Sequence, residues 1–180
     1  MIRSTTNEPV QVIQLTIDDH RVAKLTAIAI GLHLVESIFP SPVPGVKPGI
    51  ANIITLYVLY KYDFVTASWV SLLRVFASSF LLGNFLSPTF ALSLSGAIAS
   101  LLALSLTRYF PRRYFSAVTS SILAAFAHIA GQLFIVRIWL IPHAGVSYLI
   151  PVFASTALLF GLINGLIVIK LLNNNQQVKS

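Results

Sequence analysis

Residues 64–86 read FVTASWVSLLRVFASSFLLGNFL, an apolar run in which Arg74 carries the only full charge. A run of this length can cross a bilayer, since a membrane helix needs roughly 20 apolar residues. Arg74 would then lie near the middle of the membrane, where an arginine costs about 2.5–3.5 kcal/mol on insertion scales. A residue in that position normally faces a partner, a cavity or a ligand. The run therefore predicts a membrane helix beside a binding site.

The whole chain has the composition of an integral membrane protein. Of its 180 residues, 56% are hydrophobic and 9% are charged, whereas soluble domains carry about 25% charged residues. The net charge of +7 comes from basic residues that are scattered rather than clustered, so we expect no nucleic-acid partner. The absence of cysteine excludes disulfides and thiolate metal sites. The polar first 20 residues do not resemble a cleaved signal peptide.

Apolar runs predict an all-α bundle of six transmembrane helices. The predicted spans are residues 22–39, 50–60, 64–86, 89–109, 115–141 and 148–172. We therefore divide the chain into an N-terminal tail (residues 1–20), a six-span domain (residues 21–172) and a C-terminal tail (residues 173–180). The second span is short, about 16 Å of helix, and it follows a Pro- and Gly-rich stretch, residues 41–49. Irregular backbone is tolerated at membrane depth only where it is buried in protein or lines a cavity.

The distribution of Lys and Arg predicts the orientation. Six spans put both termini on one side, together with nine of the 12 basic residues: Arg3, Arg21, Lys24, Lys61, Arg108, Arg112, Arg113, Lys170 and Lys179. The other side holds Lys47, while Arg74 and Arg137 lie within spans, the latter beside Trp139 as an anchor at the outer interface. The positive-inside rule therefore predicts that both termini lie in the cytoplasm.

With this topology, the polar residues inside the spans gather toward the outer side. The candidate substrate-binding residues are Glu36, Lys47, Asn52, Arg74, Asn84, His128 and Gln132. The last two are spaced i, i+4 and therefore share a helix face. Such a set predicts a pocket that takes one small polar or anionic solute from outside.

These residues also have structural alternatives. Arg74 could form a structural ion pair with Glu36, His128 could hydrogen-bond a neighbouring helix, and Lys47 could be an ordinary loop lysine. His33, Glu36 and His128 lack the spacing of a metal-binding motif, so we predict neither a metal nor another cofactor. The chain has no Walker A motif and no clustered aspartates that would hold magnesium, so we do not expect it to be an enzyme.

Small residues repeat every four positions on the first span, at Ala23, Ala27 and Gly31. This spacing lets another helix approach closely. Glu36 lies about 180° around the helix from Ala27, so one face could dock a partner protein while the other lines the pocket. Packing within the bundle is the alternative for this stripe. For Gly161 and Gly165, which repeat the spacing in the sixth span, we expect packing within the bundle.

Four stretches resemble the signatures of a bacterial membrane family. They are PGVKPGIANII (residues 44–54), SLLR (71–74), GNFLSP (83–88) and AHIAGQ (127–132). The family is often labelled "Gx transporter" or "heptaprenyl diphosphate synthase component I", and the resemblance covers Ala23 to Leu172. This family is in turn similar to the substrate-binding S components of energy-coupling factor (ECF) transporters.

The resemblance implies a six-helix S-component-like fold that captures a solute from outside and docks on a transmembrane coupling subunit with two ATPases. An Ala-x-x-x-Ala motif on the first helix of S components contacts that subunit, and Ala23 to Ala27 match it. The synthase label implies a soluble enzyme subunit, which this apolar chain does not resemble. Two alternatives remain: an accessory membrane subunit for polyprenyl or quinone biosynthesis, and a structural subunit whose polar residues are satisfied by partner helices.

Overall fold

The computed structural model describes residues 17–38, 49–107, 116–140 and 150–177, together with residues 109, 145 and 148. These residues contain six α-helices and no β-strand. The helices are α1 (Ile17–Ile38), α2 (Asn52–Lys61), α3 (Phe64–Leu81), α4 (Pro88–Thr107), α5 (Ala117–Ile135) and α6 (Ile150–Gln177). A π-helical turn, Val136–Leu140, continues α5. The prediction of an all-α architecture with six helices is confirmed for the described residues.

Among the described residues, four segments are long and apolar enough to cross a membrane: Phe64–Leu81, Pro88–Thr107, Ala117–Leu140 and Ile150–Asn174. The two remaining helices differ from them in charge or in length. The helix α1 has 22 residues but includes two Asp, one Glu, one Arg and one Lys. The helix α2 has 10 residues, about 15 Å at the rise of an α-helix. The four long apolar helices indicate a membrane protein.

The short helix α2 lies inside the bundle. It contacts α1, α3, α5 and α6, and its buried side chains include Ile53, Ile54, Leu56 and Val58. A helix that is apolar on all sides is expected in the interior rather than at the surface. Because α2 covers only part of the bundle's height, its first turn begins within the protein.

Close packing of α5 and α6 depends on glycine. A Cβ atom at Gly161 would lie 2.8 Å from Ile122 Cα, and one at Gly165 would lie 2.6 Å from Val118 Cα. Real Cβ atoms do not approach other atoms so closely, so a side chain at either position would push the two helices apart. The expected role of these glycines in packing within the bundle is confirmed.

The third helix ends earlier than the apolar run predicts. It stops at Leu81 rather than at Leu86, because the backbone turns over residues 82–87. Gly83 and Leu86 have φ angles of 66° and 61°, which a right-handed helix does not allow. In this turn the Phe80 and Phe85 rings stack with their centroids 4.1 Å apart. The turn therefore connects α3 to α4, and the two stacked rings make its surface apolar.

Candidate functional site

The site is built around the turn that precedes α2. Gly49 has a φ of +79°, a conformation that favours glycine, and it is buried. Its carbonyl accepts hydrogen bonds from the Asn52 backbone N–H at 2.9 Å and from Asn164 Nδ2 at 3.1 Å. The first turn of α2 and the middle of α6 thus hold this backbone inside the bundle.

The Glu36 carboxylate lies against the same turn. Glu36 is 3% exposed and sits near the end of α1. Its Oε1 accepts hydrogen bonds from the backbone N–H groups of Gly49 and Ile50, the latter at 3.1 Å, and its Oε2 lies 3.9 Å from His33 Nδ1. The hydrogen bonds from these two N–H groups stabilise a carboxylate that is removed from water.

Arg74 approaches the start of α2 from α3. It is 3% exposed, and its Nη2 donates to Asn52 Oδ1 at 3.1 Å. Its Nε is buried with no hydrogen-bond partner among the described residues. Arg74 and Glu36 line one cavity, but each is hydrogen-bonded to the first turn of α2 or the residues before it. Glu36 thus reaches this region through the backbone N–H groups of Gly49 and Ile50, and Arg74 reaches it through the Asn52 side chain.

The helix α5 contributes an imidazole and an amide on one face, as their i, i+4 spacing predicts. Gln132 Nε2 donates to His128 Nε2 at 3.1 Å, and both residues are buried. Gln132 Oε1 has no hydrogen-bond partner in the part of the chain that the structure describes. A Cβ atom at Gly96 would lie 2.7–2.8 Å from the His128 ring. Glycine on α4 therefore makes the room that this ring occupies.

The space between these side chains is small. The cavity lined by Glu36, Arg74 and Gln132 has a volume of about 10 Å³, which is room for about one water molecule. A neighbouring cavity of about 20 Å³ shares Asn52 and His128 with it. A solute larger than water would therefore require the lining to move.

Five of the seven predicted site residues come together here: Glu36, Asn52, Arg74, His128 and Gln132. Asn84 lies in the turn between α3 and α4 and does not line this cavity. Lys47 lies outside the described residues. Asn52 was expected at the outer start of the second span, but it contacts Arg74 near the middle of α3 and so lies deeper than expected. The cause is the short α2, whose first turn is inside the bundle.

Three further polar residues of the two cavities, Asn164, Ser93 and His33, were not predicted as solute ligands. Asn164 is 4% exposed, donates to the Gly49 carbonyl and lines the neighbouring cavity. It interrupts the apolar run of residues 157–169 in α6, as Arg74 interrupts the run in α3. Ser93 and His33 line the cavity that Glu36 and Arg74 line. No group of three or more His, Cys, Asp or Glu residues suited to a metal ion occurs within the described ranges.

The small-residue stripe of α1 lies on the outer surface of the bundle. Ala23, Ala27 and Gly31 are all exposed, whereas Glu36 is buried. A Cβ atom at Gly31 would have no atom within 4 Å among the described residues. One face of α1 thus serves the site, and the opposite face carries the stripe.

The sequence was compared with protein families, with curated proteins and with solved structures. Residues 25–171 match the model of a family described as heptaprenyl diphosphate synthase component I. The chain belongs to this family. The match includes every described residue of the site. No curated protein and no solved structure matched. As a heptaprenyl diphosphate synthase component I protein, the chain carries a family description that implies partner subunits, and its long apolar helices imply contact with lipid.

Proposed function

We propose that this chain is a binding subunit of the bacterial inner membrane, comparable to the S components of ECF transporters, that captures a small polar or anionic solute from the outer side for uptake. The observation that carries the proposal is the buried Arg74 beside the first turn of α2. An intramembrane arginine is costly and usually marks a ligand or ion path. Short, Gly/Pro-interrupted segments that start within the membrane are typical of transport sites, where a helix N-terminus attracts anions.

Each residue of the site has a role in this proposal. Arg74 supplies fixed positive charge, and Asn52, His128 and Gln132 orient the solute through hydrogen bonds. The unpartnered Arg74 Nε and Gln132 Oε1 favour this role, because a buried polar atom without a partner costs about 1–3 kcal/mol and a ligand can relieve that cost. From the sequence alone, Lys47 is proposed to close over the solute from the outer side.

Energy for uptake would come from other proteins. We propose that the exposed stripe Ala23, Ala27 and Gly31 docks a transmembrane coupling subunit that is joined to ATPases, because small residues allow two helices to approach closely. Both termini would lie in the cytoplasm, as the distribution of Lys and Arg predicts. The proposal assigns no catalytic step to this chain.

The family description favours a second candidate. A heptaprenyl diphosphate synthase component I protein could be an accessory membrane subunit for polyprenyl or quinone biosynthesis, which binds an isoprenoid or recruits an enzyme. Stable co-purification with a prenyl synthase would be expected for this candidate and not for a solute-binding subunit.

A ligand screen on the purified chain in detergent separates the candidates. The screen measures the thermal unfolding midpoint with vitamins, vitamin phosphates, amino acids and isoprenoid diphosphates, because a ligand that binds only the folded state raises it. A water-soluble compound that stabilises the wild type supports the binding subunit. Stabilisation by isoprenoids alone supports the biosynthetic subunit. No stabilisation by any compound contradicts a solute-binding and an isoprenoid-binding subunit, and favours a structural or enzyme-recruiting role in a larger complex.

A further inference from the structure

Glu36 occupies the position that an anionic ligand would take at the start of α2. Its Oε1 accepts from the backbone N–H groups of Gly49 and Ile50. Successive backbone N–H groups in a turn can form an anion-binding concavity, and Gly49 and Ile50 lie in the turn that precedes α2. In this structure the carboxylate that satisfies them belongs to the protein itself, and it comes from a different helix, α1.

Arg74 is an independent sign that an anion can bind here. Its side chain lines the same cavity as Glu36, is 3% exposed, and has an Nε without a partner among the described residues. A guanidinium commonly binds a carboxylate through two parallel N–H donors. Arg74 donates from Nη2 to Asn52 Oδ1, and its Nε remains available as a donor. Backbone donors and a cation therefore face one cavity, and Glu36 is bonded to the backbone donors.

The size of the cavity indicates that a ligand must displace something. The free volume of about 10 Å³ holds about one water molecule, which is less than any organic carboxylate needs. Glu36 is the group that a ligand would have to displace, because its Oε1 holds the backbone N–H groups of Gly49 and Ile50. Its second oxygen already lies 3.9 Å from His33, toward which the side chain can move.

We propose that Glu36 is a built-in carboxylate that keeps the site closed, and that the solute carries a carboxylate which displaces it. The solute's carboxylate would accept the N–H groups of Gly49 and Ile50 and pair with Arg74. This inference rests on the proposed function and narrows its ligand class from polar or anionic solutes to solutes that bear a carboxylate. In this proposal Glu36 competes with the solute's carboxylate for the same N–H groups and does not bind the solute.

The test compares carboxylate binding by the wild type and by Glu36→Gln. Glutamine keeps the shape and an acceptor oxygen but removes the charge, so it is a weaker competitor for the N–H groups. Acetate and propionate are the probes, acetamide is the neutral control, and binding is followed by thermal shift titration of the full chain in detergent. We expect Glu36→Gln to bind acetate about tenfold more tightly, which is the gain when a closed state of about 90% population is removed. Acetamide should show no such gain.

Two further variants keep the outcome clear. Asp19→Asn removes an exposed carboxylate from the same helix and should bind acetate as the wild type does. Glu36→Asp keeps the charge on a shorter side chain, should tighten acetate binding by a smaller factor, and serves if Glu36→Gln fails to fold.

Three results would overturn the inference or what it rests on. Acetate that binds Glu36→Gln no more tightly than wild type overturns the competitor role and leaves the proposed function intact. The competitor role also fails, and the proposed function stands, if every solute that binds the wild type lacks a carboxylate. If no variant and no wild-type sample binds any solute, the proposed function fails and the inference fails with it.

Discussion

Glycine at position 96 determines where the His128 imidazole lies. A Cβ atom there would stand 2.7–2.8 Å from three atoms of the ring. We predict that Gly96→Ala lowers the free energy of unfolding by about 1–3 kcal/mol, the usual cost of overpacking, and weakens solute binding because His128 moves. Gly31→Ala is the matched control, since a Cβ at Gly31 has open space among the described residues. It should be neutral or should stabilise α1 by up to about 1 kcal/mol, because alanine favours helix. Thermal or denaturant unfolding in detergent measures both variants, and equal losses in the two would contradict the assignment.

The residues of the site could be predicted from sequence to the extent that their polarity stands out. Arg74, His128 and Gln132 interrupt apolar runs, and they meet as expected. Asn164 interrupts α6 in the same manner and could have been included. The hydrogen bond from Asn164 to Gly49 could not be predicted, because 115 residues separate the two and their contact depends on how α6 packs against α2. Asn84 was included because it is an amide in an apolar run, but it lies in the turn between α3 and α4.

At the scale of helices, the spacing between α5 and α6 depends on Gly165. A Cβ atom at this position would lie 2.6 Å from Val118 Cα, and a backbone atom cannot move aside as a flexible side chain can. We predict that Gly165→Ala costs about 1–3 kcal/mol of stability. Leu166→Ala, at an exposed neighbour on the same helix, should cost less in detergent, because it removes no close backbone contact. A Gly165→Ala protein that unfolds at the wild-type midpoint would contradict this packing.

Helix ends followed from sequence to within a few residues, except where one backbone angle decides. The predicted third span continued to Leu86, but Gly83 and Leu86 turn the chain with positive φ angles. Leucine rarely adopts such an angle, so its position in a turn carried no signal. The length of α2 was predicted as short. Its placement inside the bundle could not be predicted, because it follows from contacts with four other helices.

At the scale of the whole molecule, the account predicts the orientation of the bundle in the membrane. The chain has no cysteine, so single cysteines report position without background. We predict that Asn84→Cys, in the turn between α3 and α4, reacts with a membrane-impermeant maleimide added to intact cells. Tyr109→Cys, which is exposed after α4, should react only after the membrane is permeabilised. The physical reason is that Lys and Arg are retained on the cytoplasmic side. The reverse labelling pattern would contradict the predicted topology and entry from the outer side.

The measurement that tests the central claim most directly is equilibrium binding of the solute found by the ligand screen to wild type, Arg74→Ala and Arg137→Ala. Both variants remove one arginine from a membrane-spanning segment, but Arg74 is buried in the site and Arg137 is exposed. We predict that Arg74→Ala weakens binding by about 30-fold or more, since truncating one side of a buried charge pair costs about 2–5 kcal/mol. Arg137→Ala should bind as the wild type does. An Arg74→Ala protein that unfolds cooperatively and binds the solute with wild-type affinity would contradict the account.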